Sequence, residues 1–413
     1  MTAAIIIIGD EILLGQVKDT NSSHIAESLI NLGVRVKKIL TVGDSKAEIL
    51  SALKETSGFY DYIFVTGGLG PTKDDISKYA FLEYFGGELV LDEKLLAELK
   101  LKFNARGWKF HESNLGQAEY PDSCEVIPNE RGSAQGMLFT ENNSKYFAMP
   151  GVPHEMEGIL HGWILPYLKK EPTQIYLSYI SIGTIGISES GLSEIIEPMR
   201  ARLGEIEIAY LPGYYGARLR LTAEGTDRLE VEKRLETALE ILEDKIEKFT
   251  YSTKGESLSE VIGHLMREKG LTLAISESCT GGLIQDHLTD VPGSSDYFIG
   301  GVVAYSNDIK INFLGVKPKS IERFGAVSSE IAEEMANGIR LKTGSDIGLS
   351  ITGIAGPEGG SNEKPVGLVY IGYSDIKTST SNKYLFGDDR INNKKRSAGM
   401  ALGLLWNNLK EVS

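Results

Sequence analysis

One unbroken apolar run near the start of the chain, Ala3–Ile8, constrains the fold most, because Gly9 and Asp10 end it at once. A strand that is apolar at every position is buried on both faces, which is typical of a parallel sheet covered by helices. The run is too short to span a membrane, and no basic segment precedes it. We therefore interpret it as a core strand.

Strand and helix signals alternate after this run. Val34–Val42 and Tyr62–Thr66 have the composition of strands, and a helical pattern lies before the first of them. Such alternation predicts an α/β fold, with a mostly parallel sheet in a three-layer sandwich over residues 1–170.

Two further domains are predicted. Residues 171–253 follow the order strand, helix, strand, strand, helix, and apolar side chains recur at steps of three and four from Leu235 to Phe249. This spacing indicates an amphipathic helix, so we expect a small α+β module here. Residues 254–413 return to an α/β pattern. Their strand-like segments are Leu271–Ile275, Gly301–Tyr305, Ile347–Thr352 and Val366–Tyr373.

The charge balance narrows the range of partners. The chain has 413 residues, with 43 Lys and Arg against 57 Asp and Glu, and a net charge of -14. A chain of this charge repels polyanions and has no strong basic patch, so neither nucleic acid nor a membrane is expected as a partner. Its two cysteines, Cys124 and Cys279, lie far apart, which fits a reducing cytosol without disulfides. We expect a cytoplasmic protein.

A glycine-rich segment follows the strand Tyr62–Thr66 and opens a helix. Glycine lets the backbone approach a ligand, and free N–H groups at a helix N-terminus attract anions, so the segment suits a phosphate or pyrophosphate. The residues predicted to contact this ligand are Gly67, Gly68, Gly70, Pro71 and Thr72. A plain tight connection is the alternative interpretation.

Carboxylates follow this segment and two other predicted strands. Asp74 and Asp75 come after the glycines, and Glu11 and Asp44 lie in loops after the first and second strands. The carboxyl ends of parallel strands meet at one edge of a sheet, so these side chains are predicted to converge. Their hard oxygen atoms suit a divalent ion that bridges phosphates. Helix capping is the alternative role.

A second candidate site lies at Ser276–Gly282, where a strand joins a helix. A nucleophile on such a turn lies beside backbone N–H groups that can stabilise an oxyanion. Thr280, Gly281 and Gly282 are predicted to surround the substrate. Cys279 is a competing nucleophile, because a helix N-terminus favours the thiolate.

A serine nucleophile needs a base. His264 and His287 both lie in predicted helices, where histidine is more often a packing or surface residue. A Ser-Lys arrangement is the other option, with Lys310 at the start of a helix and Tyr305 at the end of the preceding strand. A partly desolvated lysine near a helix N-terminus has a lowered pKa, and Tyr305 could relay its proton or hold it.

A third loop of small residues, Thr352–Gly360, also follows a predicted strand. Gly353, Ala355 and Gly356 are predicted to line a ligand or close over it. Arg390 is a predicted phosphate clamp, since guanidinium binds phosphate through two parallel hydrogen bonds. A plain glycine-rich loop is the alternative.

Over nearly its whole length the chain resembles the CinA proteins, a family named for competence and damage induction. The N-terminal signatures are Gly9-Asp10-Glu11, Asp19-Thr20-Asn21, the run from Thr66 to Asp75, and Met149-Pro150-Gly151-Val152-Pro153. These are similar to a molybdopterin-binding-type domain whose members include ADP-ribose pyrophosphatases. The resemblance implies a divalent metal ion of the Mg or Co type as the cofactor of this domain.

The C-terminal signatures resemble the nicotinamide-nucleotide amidohydrolase domain of that family. They are Glu277-Ser278-Cys279-Thr280-Gly281-Gly282, Pro292-Gly293-Ser294-Ser295, Tyr305-Ser306-Asn307, Gly325-Ala326-Val327-Ser328 and Gly353-Ile354-Ala355-Gly356-Pro357. The resemblance implies hydrolysis of nicotinamide mononucleotide to nicotinic acid mononucleotide and ammonia, without a cofactor. Ser278 would be the nucleophile, activated by Tyr305 and Lys310, and Thr280, Gly353 and Arg390 would contact substrate. A homodimer is also implied.

Three positions depart from the family pattern. Lys73 stands where His is usual, Gln135 where Pro is common, and Lys394 where Arg is frequent. Lysine keeps the charge of arginine but loses its two-pronged hydrogen bonding.

An alternative interpretation makes the N-terminal domain a nucleotide or pterin sensor without turnover, linked to competence or recombination partners.

Overall fold

The computed structural model describes residues 1–30, 32–72, 75–170 and 175–411. Lys73 and the predicted metal ligand Asp74 lie outside these residues. The chain forms two compact units. The first is Met1–Ser178 with Ala223–Lys233, and the second is Tyr179–Thr222 with Arg234–Ser413.

The first unit is built around a six-stranded sheet. The strands of the whole unit are β1 (Thr2–Ile8), β2 (Arg35–Val42), β3 (Tyr62–Thr66), β4 (Leu89–Leu91), β5 (Glu119–Pro121), β6 (Glu125–Ile127), β7 (Gly136–Glu141) and β8 (Ser144–Met149). Its helices are α1 (Asp10–Leu13), α2 (Asn21–Ile30), α3 (Lys46–Thr56), α4 (Ser77–Phe85), α5 (Glu93–Ala105), α6 (Pro153–Ile159) and α7 (Leu165–Leu168). A 3-10 helix spans Glu112–Ala118, and a π-helical turn, Leu160–Ile164, joins α6 to α7.

The sheet order is β2-β1-β3-β8-β7-β6. The first four strands run parallel, whereas β7 and β6 are antiparallel to their neighbours. Strands β4 and β5 form a separate antiparallel pair. The mostly parallel sheet confirms the prediction for this part of the chain.

The isoleucines of β1 divide between two cores. Ile5 and Ile7 pack with side chains of α2 and α6 on one face of the sheet. Ile6 and Ile8 pack with side chains of α3 and α4 on the other face. Successive side chains of a strand point to opposite faces, so an all-apolar strand requires helices on both sides. The three-layer arrangement is therefore a direct consequence of the opening apolar run.

The middle module has a four-stranded sheet. Its strands are β9 (Tyr176–Thr184), β10 (Glu207–Leu211), β11 (Arg218–Gly225) and β12 (Thr250–Ser252), and its helices are α8 (Glu189–Ile196) and α9 (Arg228–Ile246). The strand order is β10-β11-β9-β12. The short strand β12 extends the predicted order of strand, helix, strand, strand, helix.

The rest of the second unit is a five-stranded α/β domain. Its strands are β13 (Leu273–Glu277), β14 (Phe298–Val303), β15 (Ile347–Gly353), β16 (Leu368–Ser374) and β17 (Ser379–Leu385). Its helices are α10 (Leu258–Lys269), α11 (Leu283–Thr289), α12 (Asn307–Asn312), α13 (Pro318–Phe324), α14 (Ser329–Thr343) and α15 (Arg390–Glu411). The sheet order is β14-β13-β15-β16-β17, with β14, β13 and β15 parallel and the last two strands antiparallel.

Helix α10 begins with a capping box, which satisfies amides that have no partner inside the helix. Ser257 Oγ accepts a hydrogen bond from the Glu260 amide at 3.2 Å. Glu260 Oε2 accepts one from the Ser257 amide at 2.7 Å. The helix ends at Gly270, whose φ of 62° is favourable for glycine.

Helix α15 packs against the middle module through two glycines. A Cβ atom on Gly399 would lie 2.0 Å from Cδ1 of Tyr215, and one on Gly403 would lie 2.1 Å from Cδ1 of Ile185. Lys395, on the same helix, donates a hydrogen bond to the Tyr214 hydroxyl at 3.0 Å. The close approach of module and helix thus requires both glycines, here called the α15 glycine pair.

No helix in the described part of the chain combines the length and the apolar character needed to cross a membrane.

Candidate functional site

Ser278 lies immediately after β13 at the carboxyl edge of the parallel strands. Its amide donates a hydrogen bond to the Ile351 carbonyl of β15 at 3.0 Å, which fixes the start of the turn. Gly281 and Gly282 then adopt φ values of 68° and 101°, which glycine tolerates best. These glycines reverse the chain into α11 and leave the Ser278 side chain 8% exposed.

Lys310 is the side chain that contacts the Ser278 hydroxyl. It is the fourth residue of α12 and is only 2% exposed. Its Nζ atom lies 3.1 Å from Ser278 Oγ and donates hydrogen bonds to the carbonyls of Ala304 at 2.7 Å and Tyr305 at 3.2 Å. Burial lowers the pKa of Lys310. A neutral amine has two hydrogens for the two carbonyls and a lone pair for the serine hydroxyl, so the geometry suits a general base.

Tyr305 contacts Lys310 through its backbone carbonyl. Its side chain is 65% exposed. The structure therefore brings Ser278 and Lys310 together, while the Tyr305 side chain is exposed. Of the two predicted histidine candidates, His264 faces Glu256 at 3.6 Å on an exposed part of α10.

The carboxylate of Glu277, next to Ser278, is fully buried. It accepts hydrogen bonds from the amides of Gly282 at 2.9 Å, Ile284 at 3.3 Å and Gln285 at 3.0 Å. These are the amides at the start of α11. The Gly282 N–H group is therefore already bonded and is not available to an oxyanion.

Three amides of the turn remain unbonded. Those of Cys279, Thr280 and Gly281 donate no hydrogen bond to any part of the chain that the structure describes. The Thr280 hydroxyl is also buried without a partner. Unbonded donors next to a nucleophile are what an oxyanion hole requires.

Cys279 is 8% exposed, and burial raises the pKa of its thiol to about 12. The expectation that the helix N-terminus favours its thiolate is wrong, because desolvation outweighs that effect and the Glu277 carboxylate already occupies the amides of α11. A protonated, enclosed thiol is a poor nucleophile. The structure thus favours Ser278 over Cys279.

Helix α15 and the third small-residue loop meet beside this turn. Arg390 Nη1 donates a hydrogen bond to the Gly356 carbonyl at 2.7 Å, and Asn393 Nδ2 donates one to the Ala355 carbonyl at 3.0 Å. The Nζ atom of Lys394 would lie 3.7 Å from a Cβ atom on Gly281. Arg390 and Lys394 of α15 therefore lie at two loops that are predicted to contact substrate. Gly353, which is also predicted to contact substrate, is the last residue of β15.

The first unit contains a separate cavity of about 430 Å³ at the carboxyl ends of its parallel strands. Seven residues predicted for the N-terminal site line it: Glu11, Asp44, Gly67, Gly68, Gly70, Pro71 and Asp75. Thr72 lies beside it and donates two hydrogen bonds to Asp75 Oδ2. The amides of Gly68, Leu69 and Gly70 donate no hydrogen bond to the described residues. Free amides on a glycine-rich loop suit a phosphate.

The carboxylates of this cavity lie close enough to interact. Burial raises the pKa of Asp44, and the negative charges of Asp10, Glu11 and Asp75 raise it further. Within the described ranges, no three His, Cys, Asp or Glu side chains converge into a ready metal site. The cavity nevertheless offers the carboxylate oxygens of Glu11, Asp44 and Asp75, and such oxygens are the ligands that a hard divalent ion prefers.

The other residues that line the cavity include Asn21, Gln117 and Glu155. Asn21 belongs to the signature Asp19-Thr20-Asn21, although no role was assigned to it from the sequence. Gln117 lies in the 3-10 helix Glu112–Ala118 and Glu155 in α6. No local motif marks these last two, because only the tertiary fold brings them to the glycine-rich loop.

Comparison with known proteins gives three family matches along the chain. Residues 4–170 match the family model "Probable molybdopterin binding domain", residues 181–252 match "Damage-inducible protein CinA KH domain", and residues 255–409 match "CinA C-terminal domain". A "CinA-like protein" of Cytophaga hutchinsonii is 40% identical over 411 residues, covering 99% of this chain and 98% of that protein. The chain belongs to the CinA family. A second CinA-like protein, from Chloroherpeton thalassium, is 40% identical over 415 residues and 98% of each chain.

Solved structures of CinA proteins are similar to part of the chain. The competence/damage inducible protein CihA of Agrobacterium tumefaciens is 35% identical, with a TM-score of 0.36 over 38% of this chain and 97% of that chain. In this member of the CinA family, Ser278 and Lys310 both lie within the CinA C-terminal domain, and the glycine-rich cavity lies within the molybdopterin-type domain.

Proposed function

We propose that the C-terminal domain hydrolyses the carboxamide of nicotinamide mononucleotide, giving nicotinic acid mononucleotide and ammonia. The observation that carries this proposal is the 3.1 Å contact between Lys310 Nζ and Ser278 Oγ in a buried site. The family resemblance supplies the substrate, and the geometry supplies a nucleophile with its base.

The reaction follows from these groups. Lys310 accepts the Ser278 proton as Oγ attacks the carboxamide carbon, and the amides of Cys279, Thr280 and Gly281 hold the resulting oxyanion. The protonated lysine gives its proton to the departing ammonia, which leaves an ester on Ser278. Water then attacks this ester while Lys310 takes a proton from it. As the C–O bond to Ser278 breaks and the acid leaves, Lys310 returns that proton to Ser278 Oγ, which restores both the serine and the base. The Tyr305 ring at the rim is the proposed proton relay to solvent, and Arg390 and Lys394 are the proposed phosphate contacts.

A second activity is proposed for the first unit, where free loop amides and carboxylates share one cavity. This activity is cleavage of the pyrophosphate of ADP-ribose. A divalent ion of the Mg or Co type would be held by carboxylates among Glu11, Asp44 and Asp75 together with the phosphates of the substrate, whose charge it would neutralise. The alternative is a nucleotide or pterin sensor, and binding of ADP-ribose without turnover in the presence of metal would favour it.

We also propose that the protein is cytoplasmic and that it forms a homodimer. Sedimentation of the full chain tests the homodimer.

The deciding experiment measures ammonia release from nicotinamide mononucleotide with a metal chelator present. Wild type, Ser278→Ala and Cys279→Ser are compared side by side. We expect wild type and Cys279→Ser to turn over and Ser278→Ala to be folded but inactive. An inactive, folded wild type would contradict the amidohydrolase proposal, and turnover by Ser278→Ala would contradict the assigned nucleophile.

A further inference from the structure

Two buried amide side chains in the wall of the first-unit cavity have no assigned role. Asn21 is 8% exposed and Gln117 is 6% exposed. The Oδ1 atom of Asn21 and the Oε1 atom of Gln117 are both enclosed by protein and accept no hydrogen bond. Buried polar atoms are nearly always bonded, so two unbonded acceptors in one cavity wall require an explanation.

The orientation of the Asn21 amide is fixed by its neighbours. Its Nδ2 atom donates hydrogen bonds to Thr66 Oγ1 at 3.1 Å and to the Gly151 carbonyl at 2.8 Å. Thr66 Oγ1 uses its own hydrogen on the Pro150 carbonyl at 2.8 Å, so it can only accept from Asn21. Reversing the amide would place an oxygen against two acceptors. The unbonded atom is therefore the oxygen, and it requires a hydrogen-bond donor.

The residues that line the cavity thus carry two kinds of unbonded group. The glycine-rich loop presents the unbonded amides of Gly68, Leu69 and Gly70, which are donors. Two other lining residues, Asn21 and Gln117, each carry an enclosed, unbonded acceptor. An amide oxygen carries no net charge, so it can accept from a ligand without repelling the phosphate that the loop attracts, as a carboxylate would.

We propose that Asn21 and Gln117 form a subsite that reads hydrogen-bond donors on the organic part of a phosphorylated ligand. The donors are sugar hydroxyls or a base amino group, since both offer hydrogens to amide oxygens. Because the two oxygens are enclosed, the ligand must press into this wall to reach them, and a ligand that lacks the donor leaves them unbonded. Such sites discriminate strongly against analogues that lack the matching group. This inference rests on the proposal that the cavity binds phosphate, but not on its turnover.

The test is calorimetric binding to the full chain at constant Mg²⁺. The probes are ADP, 2′-deoxy-ADP, 3′-deoxy-ADP, IDP and inorganic pyrophosphate. The main variant is Gln117→Met, which keeps the length of the side chain and removes the acceptor, and Asn21→Leu is the second. Asn114→Leu is the matched control, because Asn114 is buried on the same 3-10 helix and does not line the cavity.

We expect Gln117→Met and Asn21→Leu each to weaken ADP binding about three- to tenfold, the loss expected for one neutral hydrogen bond. Pyrophosphate binding should stay within about twofold of wild type, as should all binding to Asn114→Leu. In wild type, the deoxy probes distinguish hydroxyl reading and IDP distinguishes amino reading. The analogue that lacks the recognised donor should bind wild type more weakly than ADP does. In one of the two variants, this analogue and ADP should bind with equal affinity.

Two results would overturn the inference. One is an equal loss of ADP and pyrophosphate binding in both variants, which would indicate damage to the phosphate side only. The other is equal wild-type affinity for ADP, both deoxy probes and IDP. If discrimination persists but ADP-ribose is not cleaved, the pyrophosphatase proposal fails and the subsite remains.

Discussion

The Glu277 carboxylate accepts two hydrogen bonds from Gln285, one from its main-chain amide at 3.0 Å and one from its side-chain amide at 3.2 Å. A negative charge at a helix N-terminus is favourable, because the free amides there form the positive end of the helix dipole. Glu277, the last residue of β13, therefore joins the end of this strand to the start of α11. The turn between the strand and the helix carries the amides that are proposed to bind the oxyanion.

Glu277→Ala should lower the free energy of unfolding by about 2–4 kcal/mol, because it leaves the amides of Gly282, Ile284 and Gln285 without their acceptor. It should also reduce kcat for ammonia release more than it changes KM, since the proposed oxyanion amides lose their support. Urea unfolding and steady-state kinetics measure the two effects. Glu260→Ala is the control, because this carboxylate caps α10, and it should cost about 1 kcal/mol with kcat unchanged. Unchanged kcat in folded Glu277→Ala would refute the positioning role.

Replacing Lys310 by Met should reduce kcat about 10²- to 10⁴-fold, the usual contribution of a general base. The loss follows because Met has no lone pair to accept the Ser278 proton. Lys310→Arg should be no better, since guanidinium remains protonated at any working pH. Ammonia release and far-UV circular dichroism of both variants check the claim. Activity near that of wild type in Lys310→Met would exclude the lysine as the base.

The pH profile should reflect the lowered pKa of Lys310. Only the neutral amine can accept a proton, so kcat/KM should rise with pH through this pKa and level off below the ordinary lysine value of about 10.4. Because the unfolded chain holds this proton more tightly, the free energy of unfolding should also rise with pH between the two values, relative to Lys310→Met. A kcat/KM profile that falls as pH rises from 6 to 9 would contradict this role.

Cys279→Ser should keep most of the activity, and iodoacetamide at pH 8 should label Cys279 slowly in the folded chain. Both follow from burial, which raises the pKa of the thiol to about 12 and leaves little thiolate. Mass spectrometry of alkylated peptides gives the labelling rate, with urea-unfolded chain as the reference. Rapid labelling of Cys279 that parallels loss of activity would restore the cysteine as a candidate nucleophile.

Gly399→Ala should destabilise the second unit by about 1–3 kcal/mol, because the added Cβ would lie 2.0 Å from Cδ1 of Tyr215. Tyr215→Ala removes the obstructing ring, so the double variant should be less destabilised than the sum of the two single changes. Urea unfolding of all four chains completes this double-mutant cycle. Strict additivity would show that ring and glycine do not interact.

The pairing of Ser278 with Lys310 could be predicted because it depends on topology. Strands β13 and β14 are parallel neighbours, so the segments that follow them meet at the same edge of the sheet. The bonds of Glu277 could not be predicted in this way. Whether its carboxylate turns towards α11 depends on side-chain packing. The same sequence is equally compatible with a turn in which every amide is unbonded.

The cavity of the first unit shows the same limit. The glycines and Asp75 were predicted from a local motif, and the fold brings them together with Glu11 and Asp44. Gln117 is far from Asn21 in sequence and lies in a 3-10 helix without any motif. Its neutral amide gives no signal in composition or charge, so only the packed structure reveals it as an unbonded acceptor.

The α15 glycine pair links the evolutionary histories of two parts of the chain. As long as the middle module places Tyr215 and Ile185 against this helix, positions 399 and 403 cannot acquire a side chain without a compensating change in the module. A relative that consists of the C-terminal domain alone is released from this restriction. We therefore expect larger residues at these two positions to appear across the family where the module has been lost.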